Sequence, residues 1–224
     1  MTPSSRSRAS TAVFLAATLA FTALAAGCGG EKTAPPKALT QSQTKKIVPD
    51  AASVPGWNVT LGPSAASADD AKTRQIPPCS GGKRNLCKGM RYMAQSAIRR
   101  EKTTEITFSA LAYRDERGAK VMFGRYMDVY GKDVAVDART IDIGALGDQR
   151  AARMGRGNTF HGTSHAAVAE VRVDSVIVQV TVVSRSNDEL TQPLVEQVVS
   201  FAVRRAEQVE ERGVTGERLK VPVS

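Results

Sequence analysis

"AAVAEVRVDSVIVQVTVV", residues 166–183, alternates apolar and other residues with a period of two on either side of Asp174-Ser175. With that dipeptide as a two-residue turn, Val173 pairs with Val176, Val171 with Val178, Ala169 with Val180 and Ala167 with Val182. All eight then point to one face, because successive strand residues point to opposite sides of a sheet. The opposite face carries Glu170, Arg172, Gln179 and Thr181. An antiparallel hairpin with one core face and one wetter face is the expectation.

Elements of matching character flank this hairpin. Downstream, Asp188 to Glu211 reads as a helix with the spine Leu190, Leu194, Val198, Ala202, Ala206 and Val209, widened by Val195, Val199 and Val203. Pro193 is tolerable in its first turn, Gly213 follows its end, and 212–224 reads as a loose tail. Upstream, Glu105 to Tyr113 puts Ile106, Phe108, Ala110 and Ala112 on one strand face. A helix is expected from Ala119 to Tyr130 and a weaker strand over 135–141. Leu86 to Arg100 reads as another helix, since Met90, Met93, Ala94, Ala97 and Ile98 recur at spacings of three and four. A short helix over Thr40–Val48, a strand over Trp57–Leu61 and a loop with one helical turn over 62–78 complete the domain. Helices mixed with hairpin-joined strands define an α+β class, a single domain (39–211) with a curved antiparallel sheet and helices packed on one face.

The N-terminus is basic at Arg6 and Arg8, then Thr11 to Ala26 contains only Ala, Val, Leu, Phe and Thr. This sixteen-residue stretch, thirteen apolar residues and three threonines, falls short of the ~20 that span a bilayer, so 1–27 reads as a cleaved export signal. It closes as Leu24-Ala25-Ala26-Gly27-Cys28, which resembles the lipobox of bacterial lipoproteins, although Leu24 stands four residues before the cysteine where three is commoner. The resemblance implies that Cys28 carries the acyl chains, palmitate among them, and becomes the mature N-terminus. Such an anchor holds far more firmly than one myristoyl chain. Residues 28–38 then form the lipidated cysteine and a flexible tether rich in Gly, Pro and charge, about 30 Å long at ~3.3–3.6 Å per residue.

The chain has 31 Lys+Arg and 22 Asp+Glu, and the leader holds two of the arginines, so the net charge falls from +9 to +7 on its removal. Outside the cytoplasm such a surface is either a well-solvated exterior with a basic bias or one suited to contact with anionic lipid or wall polymer, whereas nucleic acid is a poor partner for an exported chain. Of three cysteines, Cys28 is assigned to lipid, which leaves Cys79 and Cys87 as an even pair expected to form a disulfide.

Signals for chemistry are sparse. His161 and His165 are four apart, but Gly162-Thr163-Ser164 between them disfavours the helix that would join them at a metal. Ser164 beside His165 lacks the G-x-S-x-G surroundings of a hydrolase nucleophile. "GALGDQ", 144–149, has neither the lysine of a P-loop nor the third glycine of a dinucleotide loop, and reads as a tight turn. No catalytic residue, metal or cofactor is expected.

The order of elements is itself a pattern. It runs from an early helix through a Pro55-Gly56-Trp57 strand start, a cysteine loop that opens a helix, a strand leading into an aromatic helix, and a turn with Leu146-Gly147-Asp148, to a valine hairpin and a long closing helix. From Leu39 to Ala206 this resembles the PknH-like extracellular sensor domains of mycobacterial kinases. The resemblance implies a ligand-holding cleft and a sensor-like role; it also implies two disulfides, where this chain has cysteines for one. The expected function is a lipid-anchored, non-enzymatic module at the extracytoplasmic face of the cell membrane, binding an envelope ligand or protein partner through Glu170, Arg172, Gln179 and Thr181. The alternatives are a carrier of an apolar envelope lipid and an envelope hydrolase.

Overall fold

In the computed structural model, residues 38–76, 79, 86–100, 103–134, 136–159, 162–185 and 190–220 are described; residues 1–27, Cys28 and His161 lie outside them. The chain runs α1 (Gln41–Ile47), β1 (Asn58–Ser67), α2 (Ala68–Thr73), β2 (Met90–Arg100), β3 (Thr104–Tyr113), α3 (Glu116–Met122), α4 (Arg125–Val134), β4 (Val136–Thr140), β5 (Gln149–Thr159), β6 (Gly162–Val173), β7 (Val176–Ser184) and α5 (Gln192–Arg212). The strands form one seven-stranded antiparallel sheet in the order β1-β2-β3-β7-β6-β5-β4. This is the α+β class read from the sequence. Two meanders, β1-β2-β3 and β4-β5-β6-β7, join at the β3–β7 pair, with α3 and α4 in the connection between them.

The hairpin falls in the expected register: Val173 faces Val176, Val171 faces Val178, Ala169 faces Val180 and Ala167 faces Val182. These residues, with Ile106, Phe108, Ala110 and Ala112 of β3, pack under α5 and α1 in the larger core. Phe108 meets Phe201 of α5 edge-on, with ring centroids 6.1 Å apart. Thr191 caps α5 by accepting from Leu194 N, and Gly213 ends it in a left-handed conformation (φ 71°) that glycine adopts without strain.

The opposite face, expected to be wetter, is covered as well. Ala71 of α2 and Ala119 and Met122 of α3 pack with Met90, Met93, Leu111, Tyr113 and Ile177 in a second core. This second layer explains why 90–100 forms a strand and not the expected helix. With β1 and β3 on either side and helices on both faces, Met93, Ala94, Ser96, Ala97 and Ile98 are all buried. A strand covered on both sides has no need to alternate, so its pattern imitates a helix. β1 also runs on to Ser67, beyond the expected strand. The expected helix over 119–130 is two helices, parted at Gly124 (φ 83°). β5 carries no clear alternation because Gly155 and Gly157 interrupt it. The tail expected to be loose packs back over 213–220: Leu219 is buried in the larger core and its N–H donates to Ser53 O at 2.8 Å.

Candidate functional site

Four polar side chains stand in register across the centre of the second face. Gln95 faces Ser109, Ser109 faces Gln179, and Gln179 faces Glu170. The Gln95 amide donates to Ser109 Oγ at 3.4 Å. Thr107 and Thr181 form a second, half-buried polar pair one step along β3 and β7. Of the four residues expected to bind a ligand, Glu170 is 0% exposed, Arg172 and Gln179 4% each, and Thr181 is half-buried. They sit beneath the second layer of helices and not on an open surface.

Glu170 connects the sheet to α4. Its Oε2 accepts from Gly124 N at 3.1 Å, and its carboxyl also accepts from Met127 N, so a carboxylate on β6 supplies the N-terminal cap of α4. Burial pushes this carboxyl up to about 7, and Asp128 adds to the rise while the two backbone bonds oppose it. Glu170 Oε1 and Gln179 Nε2 have no hydrogen-bond partner among the described residues. A buried acceptor and donor left open on facing strands cost about 1–3 kcal/mol each unless something pairs with them.

Arg172 is already engaged. Its guanidinium donates to Gln149 Oε1 at 2.7 Å and to Asp174 O at 2.9 Å, and it pairs with Asp148 at 3.1 Å and Glu116 at 3.4 Å. Asp148 closes the clamp by accepting from Asp174 N at 2.8 Å and donating its own N–H to Arg172 O at 2.8 Å. Gly147 (φ 55°) makes this approach possible, since a Cβ there would stand 2.4 Å from Arg172 O. The "GALGDQ" stretch therefore acts as a latch on the β6–β7 turn.

Cys79 and Cys87 form the expected disulfide (Cα–Cα 5.3 Å), which ties the segment after α2 to the start of β2. One interior tie had no sequence signal. Arg205 of α5, 5% exposed, donates to Lys46 O (2.7 Å), Ile47 O (2.8 Å), Val48 O (3.2 Å) and Glu217 O (3.1 Å). It thereby satisfies the C-terminal carbonyls of α1 from another helix and holds the tail.

Ser164 and His165 are consecutive on β6 and so project to opposite faces. The sheet separates the neighbours that suggested a hydrolase. Open cavities lie at the surface: about 380 Å³ beside α5 at Ile143, Leu146 and Phe201; about 590 Å³ beside α1 at Lys45, Lys46 and Arg205; and about 400 Å³ near β4 at Arg139, Arg156 and His165. Among the described residues no group of three or more His, Cys, Asp or Glu could hold a metal ion, and no helix is long and apolar enough to cross a membrane.

These features define a class, an α+β domain whose antiparallel sheet is covered on both faces and whose second face holds a buried polar row. Its fold is shared with the extracellular domain of PknH from Mycobacterium tuberculosis, at a TM-score of 0.51 and 10% identity over 79% of this chain and 100% of that one. An uncharacterized protein of Mycobacterium smegmatis, the Rv0999 ortholog, matches at a TM-score of 0.41 and 11% identity over 76% of this chain and 97% of that one. No protein-family model and no curated protein sequence matches the chain. The resemblance read from element order holds at the level of fold.

Proposed function

We propose that the chain is a sensor-like, non-enzymatic binding module of the cell envelope, anchored at the extracytoplasmic face of the membrane through acylated Cys28. Its ligand or protein partner engages the polar row, with Glu170 Oε1 accepting, Gln179 Nε2 donating and Thr181 at the half-buried margin. Arg172 holds the turn beside them. The observation that carries the reading is the pair of unpartnered polar atoms on facing strands, Glu170 Oε1 and Gln179 Nε2, beneath a helix jointed at Gly124. A group that both donates and accepts, such as an amide, complements the pair. Rotation of α4 about Gly124 would admit it. The fold shared with an extracellular domain and the export signal support the compartment. The basic surface is suited to anionic lipid or wall polymer nearby.

The test is the melting temperature of the full chain against muropeptides, teichoic-type polyanions and envelope lipids. A ligand binding only the folded state stabilises it by RT ln(1 + [L]/Kd), so a saturable rise that Gln179→Leu abolishes is expected with one class. No saturable rise with any class, or a rise unchanged in Gln179→Leu, contradicts the reading.

A further inference from the structure

A second group of polar side chains gathers on the other face of the sheet, at its β4 edge. Arg156 of β5 lies directly opposite His165 of β6, and both share the face of Met154 and Ala167, the face on which α5 packs. Arg139 of β4 joins them through a bulge. The register runs from Val136 opposite Arg156 to Arg139 opposite Met154, three steps on β4 against two on β5. In a regular ladder Ala138 would stand opposite Met154 and Arg139 would turn to the other face. Within the bulge Asp137 adopts φ 56°, a conformation that costs a non-glycine residue about 1 kcal/mol or more. The fold thus accepts local strain to bring a second arginine to the face that already holds Arg156 and His165.

Arg139, Arg156 and His165, with Asp137, Met154 and Leu190, line the open cavity of about 400 Å³. Asp137 is the one acid among these lining residues, and Arg156 already pairs with it. Arg139 pairs with no acid among the described residues. Adjacent cations on neighbouring strands repel unless an anion joins them, and two guanidinium forks match the oxygens of a carboxylate or phosphate.

We propose that this cavity binds the oxyanion group, phosphate or carboxylate, of a small ligand. Arg139 and Arg156 grip the oxygens, His165 supplies a third donor, and Met154 and Leu190 pack against the remainder of the molecule. The site stands on the face opposite the polar row and does not depend on it or on the anchor.

The whole chain contains only two histidines, so selective labelling of their rings gives two signal sets, which His161→Gln assigns. The full chain is titrated with inorganic phosphate, with acetate and with phosphatidylglycerol vesicles, each against chloride at matched ionic strength. The expected result is a saturable shift of the His165 ring with free phosphate or acetate, whichever binds identifying the oxyanion. Arg139→Ser should weaken it at least about tenfold, about 1.4 kcal/mol. Arg139→Lys, which keeps the charge without the fork, should fall between the two, and an unchanged far-UV circular dichroism spectrum of each variant would show that the fold persists. A shift that never saturates, one equal in Arg139→Ser, or a response to vesicles alone would overturn the proposal.

Discussion

Replacing Glu170 by glutamine should make the protein more stable at neutral and alkaline pH and flatten its pH dependence. The Glu170 carboxyl is held at about 7 by burial, against an ordinary value of 4.5. It therefore binds a proton more readily folded than unfolded. The stability this group contributes is complete below pH 4.5, falls as the pH rises, and is lost above 7. A difference of about 2.5 pH units corresponds to roughly 3 kcal/mol. Glutamine at 170 is neutral throughout, and its amide oxygen can still accept from Gly124 N and Met127 N. The difference between wild type and Glu170→Gln should grow from near zero at pH 4.5 to roughly 3 kcal/mol above pH 7, about 6–12 °C in Tm for a domain of this size. Urea denaturation from pH 4 to 9 measures it. Glu210, also pushed up to about 7 by burial, remains in both proteins and cancels from the difference. Parallel curves for the two proteins, or a variant less stable at pH 8, would refute the assignment of this buried carboxyl.

Three further substitutions or treatments probe the ties around the sheet. Gly147→Ala should cost about 2–4 kcal/mol in urea denaturation, because its Cβ would meet Arg172 O at 2.4 Å at a positive φ. Arg205→Met should cost about 3 kcal/mol and raise amide exchange in α1 and in residues 213–220 together, since one guanidinium serves carbonyls in both. Reduction of the Cys79–Cys87 disulfide, which closes a short loop, should lower stability by about 2.5 kcal/mol on the chain-entropy argument, read as a lower urea midpoint after dithiothreitol.

What the sequence discloses follows from how each element is covered. The β6–β7 hairpin and β3 alternate cleanly, because every second residue of Ala167–Val182 and of Ile106–Ala112 enters the larger core. α5 shows its periodicity because one side lies on the sheet and the other meets water. β2 misleads because both of its faces are buried, and β5 is hidden by its glycines. The expectation that Glu170, Arg172 and Gln179 line a wet face treated polar character as exposure. The segment between β3 and β4 lays α3 and α4 over them, and only the three-dimensional arrangement shows that Glu170 caps α4 while Arg172 closes the Asp148 latch. The Arg139 bulge and the Arg205 cap lie outside local pattern altogether. They depend on register and on contacts between residues more than 150 apart in the chain for Arg205 and α1.

The proposed location of this module rests on acylation of Cys28. Intact-mass and peptide mass spectrometry of the protein purified from bacterial membranes tests it directly. The account predicts a mature chain that begins at Cys28 and carries acyl chains there, and a Cys28→Ala variant that leaves the membrane fraction. An unmodified Cys28, or a mature N-terminus at any other residue, would contradict it.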